Sequence, residues 1–120
     1  MRSVILITSN NNEVEKLYQQ WKSKATNVYL DNDKLNMVIY GERIYIDYLE
    51  DGIVFYEEDE LQNINLDELN FYSIRYSSKE IMERFIRESI FNENSFLDND
   101  MGKIIMVDKL KKEDISDFIE

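Results

Sequence analysis

The chain has no cysteine, histidine or proline among its 120 residues, and only three glycines. Without cysteine it can form neither a disulfide framework nor a thiolate site. The absence of histidine removes the commonest general base, the commonest zinc ligand and the side chain that titrates nearest neutral pH. The abundance of Ile, Asn, Tyr, Glu and Lys is typical of AT-rich bacterial coding, and this bias alone can account for the missing Pro and His.

Long apolar runs are also missing. The first aliphatic run, residues 4–7, is too short for the core of a signal peptide and is followed by asparagines rather than a cleavage site. No other run approaches the length of a membrane span. We therefore expect a cytoplasmic protein without a membrane partner. The length predicts one domain over residues 1–120, and 43% apolar residues suffice for a core.

Positive charge is absent from residues 44–74, although the chain has 14 basic residues elsewhere. This segment contains nine carboxylates: Asp47, Glu50, Asp51, Glu57, Glu58, Asp59, Glu60, Asp67 and Glu68. Aromatic and aliphatic residues alternate within it, which is typical of folded chain rather than a disordered acidic tail. Such a surface repels nucleic acid and anionic membrane and attracts a basic partner. Alternatively, the net charge of −11 serves only solubility.

The order of periodic segments predicts an α+β fold, β-α-β-β-β-β-(α)-β-α-β-α, with a mainly antiparallel sheet and helices packed on one face. The predicted strands are residues 3–8, 27–31, 35–40, 42–49, 53–57, 71–76 and 103–108. Asn10 is the predicted N-cap of a helix that ends near Lys24, and Glu13 three residues on gives a variant of the capping box. The apolar stripe of this helix is Val14, Leu17, Tyr18 and Trp21. Ser77 with Glu80 forms a capping box for a second helix that turns Ile90 inward. Residues 114–119 form a last short helix. Residues 92–102 form a loop, and residues 58–70 form either a short helix or a loop packed on the sheet.

The Asp51-Gly52 pair predicts a hairpin, so residues 27–57 should form a four-stranded meander with two different faces. One face is predicted to be core: Val28, Leu30, Leu35, Met37, Ile39, Ile44, Ile46, Ile53 and Phe55. The other is rich in tyrosine: Tyr29, Val38, Tyr40, Arg43, Tyr45, Asp47, Leu49, Val54 and Tyr56. Tyrosine suits an interface because it buries area and keeps a polar hydroxyl. A covering helix, a second copy of the chain or ordinary partial exposure would also explain the second face.

The sequence contains fragments of motifs for catalysis and metal binding, but their residues do not have the types or spacing that such sites require. A calcium loop starting at Asp98 would have its glycine one position early and Lys109 in place of the final glutamate. No lysine has an acid two residues before it, as a metal-dependent nuclease of the restriction type requires. The serines of Ser77-Ser78-Lys79 are explained as helix caps, and residues 8–10 have neither the glycine nor the lysine of a phosphate site. We predict no catalytic, metal-binding or cofactor-binding residues.

The run from Asn70 to Ser77 leads directly into a capped helix within a small acidic α+β chain. In this respect the sequence resembles bacterial immunity proteins, single-domain inhibitors that neutralise toxins of contact-dependent or polymorphic toxin systems. The resemblance lies in size, charge and strand–helix order over the whole chain. It implies a non-enzymatic protein that covers the active site or an exosite of a toxin, often a basic nuclease.

These observations predict an acidic binding protein for a basic partner, most concretely an immunity protein for a toxin nuclease. The predicted partner-binding residues are Asp47, Glu50, Asp51, Tyr56, Glu57, Glu58, Asp59, Glu60, Tyr45 and Tyr40. The alternative is a structural or regulatory domain that forms a homodimer through its tyrosine-rich face. The acidic run itself can be either an interface or a solvated edge.

Overall fold

Seven strands form one antiparallel sheet in the computed structural model of the protein, which describes residues 1–9, 12–61 and 69–119, without the side chains of Phe55, Glu58 and Glu60. The strands are β1 Arg2–Thr8, β2 Thr26–Asp31, β3 Lys34–Ile39, β4 Glu42–Leu49, β5 Asn70–Tyr76, β6 Phe96–Asp98 and β7 Ile104–Met106. Their order across the sheet is β2-β3-β4-β5-β1-β6-β7. The helices are α1 Glu13–Trp21, α2 Lys79–Glu88, α3 Val107–Leu110 and α4 Ile115–Phe118. The predicted α+β class is confirmed.

Strand register places aliphatic side chains in rows on one face of the sheet. Leu35 of β3 lies opposite Ile46 of β4, Ile46 opposite Ile74 of β5, and Ile74 opposite Val4 of β1. All four side chains are buried. Because side chains alternate along a strand, this row fixes which residues of each strand turn toward the core.

The four helices cover this face, which we call the helix face. Val14, Leu17 and Trp21 follow the predicted stripe of α1 and join the same buried cluster as Phe85 of α2 and Phe118 of α4. Asn10, the predicted N-cap of α1, lies outside the described residues. For α2 the cap is Ser78, one residue after the prediction, and its hydroxyl accepts a hydrogen bond from the Ile81 amide at 3.2 Å.

The opposite face carries a second, smaller cluster, and here the prediction of a fourth meander strand is wrong. Residues 53–57 do not pair with β4, because β5 takes that position. Residues Gly52–Phe55 and Glu58–Leu61 instead form two 3₁₀ turns. Leu61 from the second turn packs against Ile7 and Phe71. The Asp51-Gly52 pair therefore starts a covering segment and not a hairpin.

Three further side chains lie away from their predicted faces. Strand β3 ends at Ile39, and Tyr40 turns toward the helices with a left-handed φ of 51°. Helix α2 ends at Glu88, so Ile90 points outward and is 75% exposed. Ile53 was predicted to be core but is 48% exposed. The predicted loop over residues 92–102 contains β6, and β7 is shorter than predicted because α3 begins at Val107.

One edge of the sheet is β2, and its backbone is irregular. The pairing register with β3 shifts between Thr26 and Tyr29, and Asn27 has a left-handed φ of 52°. A bulge of this kind bends an edge strand and makes it a poorer template for another strand.

Candidate functional site: an acidic cap on the sheet

Residues 50–61, which we call the acidic cap, lie on the face opposite the helices. Gly52 packs so closely on Phe71 that an added Cβ would stand 2.4 Å from the Phe71 Cβ. The ring of Tyr56 stacks on the same phenylalanine at a centroid distance of 5.3 Å. The Tyr56 hydroxyl donates a hydrogen bond to Asp98 Oδ2 at 2.5 Å. These contacts fix both ends of the first 3₁₀ turn to the sheet.

The carboxylates of the cap point mostly to solvent. Glu50, Asp51, Glu57 and Asp59 are exposed. Glu50, Asp51 and Asp59 make no ion pair or side-chain hydrogen bond with any residue that the structure describes. Since these like charges lie in one short segment, the cap is a local source of negative potential.

The other predicted acids divide into two groups. Glu58 and Glu60 belong to the second 3₁₀ turn, but their side chains lie outside the described part, as do residues Asp67 and Glu68 altogether. Asp47 lies on β4 and is already paired. Its Oδ2 is 2.9 Å from Arg75 Nη2, and its Oδ1 is 4.0 Å from Lys34 Nζ. Two neighbouring bases offset its charge, so it contributes little to the negative field.

The three predicted tyrosines occupy three different environments. Tyr56 belongs to the cap, and Tyr45 lies on the same sheet face with its ring centroid 5.4 Å from the Arg75 guanidinium carbon. Tyr40 instead belongs to the helix side. Its ring centroid is 3.5 Å from the guanidinium carbon of Arg84, and its hydroxyl donates to Glu88 Oε1 at 2.7 Å. The structure therefore brings Tyr45 and Tyr56 to one face of the sheet and separates Tyr40 from them.

Beside the cap, the face formed by β2, β3 and β4 is more open, and we call it the open half. Tyr29 is 52% exposed, and Asn36 and Tyr45 are half-buried in the same cross-strand row. Arg43 is exposed on this side too. The open half therefore combines tyrosines with basic residues, in contrast with the acidic cap.

Sequence reasoning missed a buried carboxylate network on the other side of the molecule. Glu13 was interpreted as part of a capping box, but its side chain turns inward and only 1% of the residue is exposed. Its Oε1 accepts hydrogen bonds from the Asn92 amide at 3.1 Å and from Ser95 Oγ at 3.1 Å, and its Oε2 accepts one from the Asn92 side chain. Burial raises the pKa of Glu13, and the bonds from Asn92 and Ser95 partly oppose this effect. No local pattern marks a glutamate whose partners lie about eighty residues away.

This network holds a loop in place and is poorly arranged for catalysis. Ser95 is the hydroxyl nearest the carboxylate, but it is 1% exposed and a substrate could not reach it. A neighbouring cleft of about 410 Å³ contains Lys16, Gln20 and Asn92. The two ends of the Gln20 amide are bonded to the backbone of Glu88 and Ile90, and Lys16 donates to Asn92. These polar groups therefore serve the fold.

No group of three or more acidic side chains within residues 1–9, 12–61 and 69–119 is placed to hold a metal ion. Comparisons with protein-family models, with curated proteins and with solved structures find no match for this chain. In the described ranges, no helix has the length and apolar character needed to cross a membrane.

Proposed function

We propose that the protein is a non-enzymatic binding protein that captures a basic protein through the acidic cap. In its most concrete form, it is a bacterial immunity protein that neutralises a basic toxin nuclease in the cytoplasm. The observation that carries the proposal is the set of exposed carboxylates Glu50, Asp51 and Asp59, which form no ion pair with described residues and lie on a segment fixed to the sheet.

The physical argument rests on what nucleases have in common. A nuclease holds phosphates and therefore presents positive charge around its active site. An inhibitor that offers carboxylates in place of phosphates is steered toward that site and is selected against other partners. The cap supplies such carboxylates, and residues 44–74, which include it, contain no lysine or arginine.

The test uses the protein encoded by the adjacent reading frame as the partner probe. Association with the wild-type chain should slow steeply as salt rises, because exposed charges are screened within about 8 Å at physiological ionic strength. Replacing Glu50, Asp51 and Asp59 by lysine should lower the association rate at low salt about tenfold or more. The matched control reverses Glu80, Glu93 and Asp108, which are exposed away from the cap.

Three results would contradict this proposal: no binding of the probe, association rates that do not change with salt, or equal losses in the two triple variants. Stopped-flow mixing gives the rates, and circular dichroism of each variant checks that the fold is kept.

The second candidate function is self-association through the open half, favoured by Tyr29, which is exposed on the edge strand β2 itself. In this case Tyr29→Asp with Tyr45→Asp should convert a dimer into a monomer in sedimentation experiments. Tyr40→Asp serves as the control because Tyr40 lies on the helix side. A wild-type chain that sediments as a monomer at high concentration would exclude this candidate.

A further inference from the structure

The first 3₁₀ turn exposes two adjacent aliphatic side chains within the acidic cap. Ile53 is 48% exposed and Val54 is 71% exposed, although both are large apolar residues. Single exposed apolar side chains are common on protein surfaces and need no explanation. Two neighbours projecting from one turn among exposed carboxylates form a small apolar patch with a charged rim.

This apolar pair is held in a fixed position. Gly52 before it and Tyr56 after it both pack on Phe71. Inside the turn, the Val54 amide donates to the Asp51 carbonyl at 3.1 Å and the Tyr56 amide donates to the Ile53 carbonyl at 3.2 Å. A side chain presented by an ordered turn loses little further conformational freedom when it binds, which favours affinity.

The surroundings of the pair indicate the chemistry of its partner. Asp51 precedes the turn and Glu57 follows it, and both are exposed. Protein interfaces commonly combine a small apolar centre that is fully desolvated with a polar rim that remains partly hydrated. A rim of carboxylates is complementary to a basic surface, so the apolar centre should meet an apolar pocket surrounded by lysine and arginine.

We propose that Ile53 and Val54 are the apolar centre of the docking surface and insert into an apolar pocket on a basic protein. This inference rests on the proposed function and deepens it by separating two roles. The carboxylates increase the association rate through long-range attraction. The apolar pair decreases the dissociation rate, because its contacts exist only in the docked complex.

The experiment compares Ile53→Ser with Val54→Ser in one variant against Ile90→Ser as the control. Ile90 is 75% exposed and lies on the other side of the molecule, beside α1. The probe is again the protein encoded by the adjacent reading frame, immobilised for kinetic measurement. We expect the double variant to dissociate about tenfold faster or more, equivalent to about 1.4 kcal/mol, with an unchanged association rate and salt dependence. Ile90→Ser should behave as the wild type.

Each contrary outcome has a separate meaning. If the wild type binds with salt-dependent rates but the double variant dissociates at the wild-type rate, this inference is wrong and the proposed function stands. If the wild type does not bind, both the proposed function and this inference are wrong. If the double variant has a melting temperature well below that of Ile90→Ser, the pair serves the stability of the fold, and the docking role is wrong.

Discussion

The two sides of the sheet differ in how their charges are arranged. The helix layer, residues 13–24, 79–88 and 107–119, contains nine acids and nine bases. Some of these form pairs one turn apart, as in Arg84–Glu88 at 3.2 Å and Arg87–Glu83 at 3.0 Å. In the acidic cap, by contrast, every charged residue is an acid. Balanced pairs offset their own fields, so the difference places the electrostatic asymmetry of the molecule on the cap side.

The two sides also differ in their expected contribution to stability. The helix layer and the sheet share the large buried cluster, whereas the cap packs on a small cluster around Ile7, Leu61 and Phe71. We therefore expect the helix layer to control global unfolding and the cap to open locally. Five predictions test this comparison, in order of decreasing effect.

Phe85→Ala should have the largest effect. Phe85 is fully buried and stacks on Trp21 at a centroid distance of 5.8 Å. Its removal leaves a cavity between α2 and α1 and should lower the free energy of unfolding by about 3–5 kcal/mol. Urea unfolding followed by circular dichroism gives this value. A loss below that of Leu61→Ala in the cap would reverse the expected ranking of the two sides.

Glu13→Ala should lower the free energy of unfolding by about 1–3 kcal/mol, because the Asn92 amide and the Ser95 hydroxyl lose their acceptor. Glu13→Gln retains one acceptor oxygen and should lose less. Urea unfolding at one fixed pH compares the two variants, and equal losses would contradict a role for the acceptor oxygens.

The pH dependence of Glu13 has a defined sign. Burial raises its pKa in the folded state above the ordinary value of 4.5. The stabilisation that comes from this raised pKa is therefore full below the unfolded pKa of Glu13. It is lost as pH rises through the folded pKa. Glu13→Gln should remove this decline, measured by urea unfolding from pH 4 to about pH 7. A decline of the same size in the glutamine variant would assign it to other groups.

Gly52→Ala should cost about 1–3 kcal/mol, because the new Cβ would overlap Phe71 and the cap must move outward. The effect should be local, so amide exchange should increase in residues 52–56 and remain unchanged in α1 and α2. Gly102→Ala is an informative control because its added Cβ meets open space, although its φ of 91° adds backbone strain of its own. Uniformly faster exchange would mean that the cap is part of the global core.

Reversal of Glu50, Asp51 and Asp59 to lysine should change stability least, within about 0.5 kcal/mol, because exposed charges contribute little to folding. At low salt the variant should be slightly more stable than the wild type, since like charges within the cap are removed. The difference should disappear as salt is added. A large loss of melting temperature would show that these carboxylates are structural and not available to a partner.

Sequence patterns located most of the secondary structure because alternation and helical stripes reflect burial directly. Strand β4 was predicted with its observed limits, and β5 within one residue. The errors lie where contacts between distant parts of the chain determine the local structure. Residues 53–57 alternate like a strand, but β5 matches the buried row of β4 better, since Ile46 and Ile74 lie opposite each other. Gly52 serves a close contact with Phe71 instead of a hairpin turn.

The candidate site was predictable only in part for the same reason. The acidic charge of residues 44–74 is a property of composition, so it can be predicted without knowledge of the fold. The pairing of Asp47 with Arg75, and the turn of Tyr40 toward Arg84, depend on the neighbouring strand and helix. Exposure of Ile53 and Val54 follows from the 3₁₀ turn, which no local periodicity indicated.

The position of β1 near the middle of the sheet has a consequence for folding. Both of its neighbours, β5 and β6, come more than sixty residues later in the chain. By contrast, β2, β3 and β4 are joined by short turns and can pair soon after synthesis. During translation the apolar β1 therefore remains unpaired until its first strand partner, Asn70–Tyr76, has left the ribosome. We expect this interval to be when the nascent chain is most prone to misassociation and most dependent on chaperones.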